Sequence, residues 1–184
     1  MTRAFLALTL EDAAVDALVQ VQAGATFGHP VPADNLHLTL AFLGDQPIRR
    51  LDDVADMVSD MSRAAPELSF CGVSHFGKGP DISSVQALVE ADPALVALQG
   101  SCLGAVRAAG IDLARRRFVP HVTVLRSPRT ERTVRVDRWL APLVGWRAGP
   151  FWPEALCLFE SVLTPEGPHY TALETWPFPD FGEE

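Results

Sequence analysis

The tetrad His-apolar-Thr-apolar occurs twice in this chain, as HLTL at 37–40 inside NLHLTLAFLG and as HVTV at 121–124 inside VPHVTVLR. Side chains on a strand alternate between faces, so His37 and Thr39 point one way while Leu36, Leu38 and Leu40 point the other. His121 and Thr123 repeat the pattern, with Val122 and Val124 as the apolar partners. Each strand therefore anchors itself through its apolar face and displays a polar pair on the other. Random placement of five histidines and ten threonines gives roughly 0.3 His-x-Thr units, and about 0.06 once both apolar positions are required. Two such units are expected at roughly the 0.002 level, so two unrelated structural pairs are a poor account of them.

The rest of the chain supplies elements that could carry two such strands. Residues 3–10 read as a strand. DAAVDALVQVQAGA has helical spacing through Ala14, Leu18 and Val21 and stops near Gly24. Pro47 opens a second helix with a stripe of Ile48, Leu51, Val54, Val58 and Met61. LSFCGVSHF and SVQALVEA read as strands around the GKGPD turn. Asp92 as N-cap, Pro93 at the first helical position and Gly110 as stop frame a third helix. A strand at 118–125, a polar Arg-rich stretch, and two late strands, EALCLFESVL and HYTALETW, complete the reading. Strand and helix runs recur in similar order around each His-x-Thr unit, which predicts two related α+β lobes with a pseudo-twofold between them, in one domain spanning 1–184.

Charge narrows the partners. A net charge of −8 and a sequence pI near 5.0 argue against sequence-blind coating of nucleic acid. Yet of fifteen basic residues only Lys78 is lysine, and nine arginines (107, 115, 116, 117, 126, 129, 132, 135 and 138) fall within one short window. A positive face on an acidic protein fits a specific anionic ligand. Cys71, Cys102 and Cys157 are odd in number and in no CxxC arrangement, which points to free thiols and a cytoplasmic location. The apolar start MTRAFLALTL ends at Glu11-Asp12 without a small-residue cleavage site and reads as a strand. No run is long enough to cross a membrane as a helix.

NLHLTLAFLG and PHVTVLR resemble the paired HxTx signatures of the two-histidine (2H) phosphoesterase superfamily. The short strand RAFLALTL, Arg126 after the second motif and the tail LFESVL…GPHYTALETWPF are similar to the bacterial RNA 2′,3′-cyclic phosphodiesterases, also called 2′–5′ RNA ligases. The resemblance runs nearly end to end and is weakest over 70–118. It implies a bilobal α+β fold of two antiparallel sheets flanked by helices, both motifs facing a central cleft, and no metal or other cofactor. It also implies His37 as proton donor to the leaving oxygen and His121 as proton acceptor from water. The substrate class it implies is RNA ends or nucleotides carrying a 2′,3′-cyclic phosphate. The expected state is a monomer with no membrane contact and no obligate protein partner.

The residue chemistry is consistent with that. Opening a cyclic phosphodiester needs one group to take a proton from water and another to give one to the leaving alkoxide, and histidine serves both roles near neutrality. Thr39 and Thr123 suit as hydroxyl donors to the phosphate oxygens, and Arg126 as a phosphate-binding cation. Strict alternation gives Arg126 the parity of Val124, toward the core, so it reaches the cleft only if the strand ends or bulges there. Two His and two Thr make a poor zinc set.

Other residues attract plainer readings. His29 and His169 read as surface residues beside prolines, and His75 as an edge-of-strand residue. Phe42 shares the parity of Leu36, Leu38 and Leu40 and reads as core; Phe76 is a candidate for base stacking. Tyr170 and Trp176 read as core or lobe-interface residues. The Arg115–Arg117 run fits either a solvated turn or a guide for RNA. Formation or cleavage of 2′–5′ linkages in tRNA-type fragments and a non-catalytic RNA-end or nucleotide-binding module stand as alternatives to the hydrolase.

Overall fold

The structure is a computed structural model and describes residues 1–78, 81–114, 116–126, 133–165 and 167–178. The Gly79–Pro80 turn, Arg115, Arg129 and Arg132 of the sequence reading lie outside these. Among the described residues, nine strands and four helices follow in the order β1 (Thr2–Leu10), α1 (Asp12–Ala23), β2 (His29–Pro30), β3 (His37–Gln46), α2 (Ile48–Ser59), β4 (Leu68–Lys78), β5 (Asp81–Val89), α3 (Pro93–Ala108), β6 (His121–Arg126), α4 (Thr133–Leu140), β7 (Ala148–Phe151), β8 (Pro153–Thr164) and β9 (Gly167–Pro177).

Local chemistry accounts for the helices. In α1, Ala14, Leu18 and Val21 are buried on one stripe. In α2, Leu51, Val54 and Val58 are the buried set, and Pro47 caps the start. The Asp92 carboxylate accepts a hydrogen bond from the Ala94 amide at 2.8 Å, and Pro93 fills the first turn of α3. Gly110, at φ +78°, supplies the left-handed residue that ends this helix. Helix α4 is not foreshadowed by the polar Arg-rich stretch; Val136 and Leu140, four apart, are buried on it.

All strands join one antiparallel sheet, ordered β7-β4-β5-β6-β3-β1-β8-β9, with β2 added beside β6. The two expected sheets are its two halves, β7-β4-β5-β6 and β3-β1-β8-β9. Between them β3 and β6 meet at one bridge, Leu38 opposite Val122. Both residues are fully buried and belong to one continuous apolar cluster that also takes in the stripes of α1, α2 and α3. Burying a leucine of this kind stabilises the fold by about 2 kcal/mol. Helix α3 packs on β3 and α1 on β6, so each motif strand has a helix on its apolar face. Among the described residues no helix is long and apolar enough to cross a membrane.

Candidate active site

The single bridge decides where the polar pairs go. Continuing the antiparallel register from Leu38 opposite Val122 sets Thr123 across from His37 and His121 across from Thr39, and none of the four belongs to the apolar cluster. His37 and His121 are then diagonal neighbours, with backbones about 7 Å apart. Two residues distant by sequence share one patch.

The halves repeat in detail. Residues 37–42 and 121–126 have the same succession of half-buried, buried, half-buried, buried, buried and exposed positions. His37 Nδ1–H donates to the Asn35 carbonyl and His121 Nδ1–H to the Val119 carbonyl, each at 2.7 Å and each two residues back. A carbonyl only accepts, so Nδ1 carries the proton, and Nε2 has no hydrogen bond on either ring among the described residues.

Both strands also bulge just past the threonine. Ala7 faces Thr39 and Leu6 faces Ala41, leaving Leu40 as an extra residue. Gln86 faces Thr123 and Val85 faces Leu125, leaving Val124 extra. A bulge inverts the alternation beyond it. Arg126 therefore turns to the His–Thr face, meeting the one condition under which it reaches the cleft. Phe42 turns with it: it is 49% exposed, and the core reading given by parity is corrected.

Tyr170 of β9, read from the sequence as a core or lobe-interface residue, joins the two halves at the site. Its hydroxyl accepts from Arg126 Nη2 at 2.9 Å, and its ring stands edge-on to His37 with centroids 5.2 Å apart. Phe5 and Phe159 complete an aromatic wall, at 4.9 and 6.4 Å from the His37 ring. Burial behind that wall is the first reason the His37 imidazolium is disfavoured. The bond to the Asn35 carbonyl opposes it, repulsion from Arg126 and His121 adds to it, and the pKa falls from 6.5 to about 4. His121 has Phe76 alongside at 5.6 Å, and Phe76 is itself 45% exposed. Beside Thr123, Gln86 of β5 is buried, with Oε1 unpartnered among the described residues.

The remaining histidines separate. His29 is exposed on β2 opposite Arg126 and lines a recess of about 330 Å³ with Asn35, Arg126 and Tyr170. His169 is exposed. His75 faces α4, its Nε2 3.8 Å from an Asp137 oxygen, on the other side of β4 from Phe76. Trp176 is buried and donates to the Ser59 hydroxyl at 3.0 Å.

Comparison with known proteins agrees with this architecture. The model of the 2′-5′ RNA ligase superfamily matches residues 10–163, a span holding both His-x-Thr strands and the bridge between them. The chain belongs to that superfamily. An RNA 2′,3′-cyclic phosphodiesterase of Thermus thermophilus is 31% identical over 183 residues, covering 94% of this chain and 88% of the relative. One of Methanothermobacter thermautotrophicus is 30% identical over 183 residues, covering 95% and 97%. The crystal structure of TT0787 of Thermus thermophilus superposes with a TM-score of 0.74 at 27% identity, covering 96% of this chain and 97% of that one. The α+β fold is thus the 2H phosphoesterase fold of the superfamily.

Proposed function

We propose that this chain is a metal-independent RNA 2′,3′-cyclic phosphodiesterase that leaves a 2′-phosphomonoester. The observation carrying the reading is the pair of imidazoles on one face of adjoining strands, each with Nδ1 tied to a carbonyl and Nε2 without a hydrogen bond among the described residues. In the reaction, the water oxygen bonds to phosphorus as the bond from phosphorus to O3′ breaks. His121 Nε2 takes the proton from water and His37 gives one to O3′. Thr39 and Thr123 donate to the equatorial oxygens, and Arg126, held by Tyr170, offsets their charge. Each imidazole contributes about 10²–10⁴-fold.

Burial behind the aromatic wall favours neutral His37, which is the wrong state for an acid. A cyclic phosphodiester brings one negative charge beside Arg126 and His37, offsetting the repulsion from Arg126 and giving the His37 cation a partner. Substrate and proton therefore arrive together. The acid role is best supported by the resemblance, and this coupling reconciles it with the ring's surroundings. Residues 1–184 act as one two-lobed cytoplasmic monomer with RNA ends as partners.

Incubation of an oligoribonucleotide ending in a 2′,3′-cyclic phosphate with the protein in EDTA tests this. The expected product is the 2′-phosphomonoester, formed at the same rate with and without chelator. A 3′-phosphomonoester, dependence on added metal, or tight binding without turnover would contradict it.

A further inference from the structure

We propose that the groove between β3, α3 and residues 113, 114 and 116–118 binds the RNA strand on the 5′ side of the cyclic phosphate, so that the enzyme favours oligonucleotides over mononucleotides. The inference rests on the proposed function and adds to it a second recognition site.

Past the Leu38–Val122 bridge the motif strands have no further pairing with each other among the described residues, and a groove of about 670 Å³ opens between β3 and the segment leading into β6. Phe42 and Phe118 line it with Arg107, Arg116, Arg117 and Gln99, and no carboxylate among the described residues does. In a chain of net charge −8 that is a local reversal of sign. The three arginines are exposed, and guanidinium groups suit phosphates because they donate in a fixed planar fork. Aromatic rings open to a groove among cations are the lining that single-stranded RNA uses, bases stacking while phosphates pair.

Position ties the groove to the reaction. Phe42 lies three strand residues, about 10 Å, from Thr39, and the bulge at Leu40 turns it to the His–Thr face. Its ring stacks on Phe5 at 6.3 Å, and Phe5 touches His37; the Arg3 guanidinium lies 5.0 Å from the Phe42 centroid. The pseudo-twofold sharpens the point. Phe42 on β3 is the counterpart of Arg126 on β6, yet one end of the patch carries a cation held by Tyr170 and the other an aromatic flanked by arginines. The first suits the reacting phosphate. The second suits a neighbouring nucleotide with its base and phosphodiester.

The test uses a fluorescent hexaribonucleotide ending in a 2′-phosphate for binding. Turnover is compared on a cyclic-phosphate-ended hexamer and on a cyclic mononucleotide. The proteins are the parent, Arg107→Ala/Arg116→Ala/Arg117→Ala and Phe42→Ala, with thermal unfolding as the check on folding. Removing three phosphate contacts should flatten the slope of log affinity against log salt by about 2. The triple variant should lose at least tenfold more kcat/KM on the hexamer than on the mononucleotide, through KM. Phe42→Ala should weaken hexamer binding about fivefold or more. An unchanged salt slope, or equal losses on both substrates, overturns the groove. If the parent opens neither substrate, the hydrolase reading fails, and the salt slope still judges the groove.

Discussion

His37→Asn removes a titrating ring while keeping a donor for the Asn35 carbonyl, and its effect on acid stability can be worked out. The folded ring has its pKa lowered from 6.5 to about 4, chiefly by burial behind Phe5, Phe159 and Tyr170. Above pH 6.5 both folded and unfolded states hold it neutral, and it adds no pH dependence. Between 6.5 and about 4 the unfolded chain takes up a proton that the folded site refuses. Stability then falls by about 1.4 kcal/mol per pH unit, reaching roughly 3 kcal/mol. Urea unfolding of parent and variant at pH near 7.5 and near 4.5 isolates this contribution, because every other group titrates in both proteins. The stability difference should move in the variant's favour by roughly 2–3 kcal/mol on acidification. Saturating inorganic phosphate should shrink that movement, since the anion gives the ring a partner. Parallel stability curves for the two proteins would refute the neutral, walled-in imidazole.

Tyr170→Phe keeps the ring against His37 and deletes the acceptor for Arg126, so kcat/KM for the cyclic substrate should fall roughly tenfold, read by steady-state kinetics. Thr39→Val and Thr123→Val keep the shape of the strand and remove one donor each; kcat should fall about 10²-fold in either, with thermal stability close to the parent's.

Much of this is legible in the sequence alone. The three long helices follow from caps and stripes such as Asp92-Pro93 and Leu51, Val54 and Val58, because short-range chemistry sets them. The His–Thr faces follow from alternation alone. Arg126 and Phe42 do not, because a bulge depends on how a neighbouring strand pairs: Ala7 and Leu6 skip Leu40, and Gln86 and Val85 skip Val124. The condition attached to Arg126 is met by its bulge; the parity argument for Phe42 carries no such condition and fails. Tyr170 reads as core or lobe interface, and it does join the halves; its particular partner, Arg126, lies 44 residues away and has no local signal. Helix α4 hides because its apolar residues, Val134, Val136, Trp139 and Leu140, alternate with arginines and an aspartate in a stretch that reads as polar. The joining of two sheets into one rests on a single bridge between distant strands, for which no local signal exists.

Two-histidine chemistry at this site requires both imidazoles to touch the same anion. Nitrogen-15 NMR of the histidine rings during an inorganic phosphate titration reads each Nε2 separately. The prediction is that His37 and His121 shift together along one binding curve with a shared Kd, His37 gaining a proton as it does. Two curves with different constants, or a response from one ring alone, would contradict it.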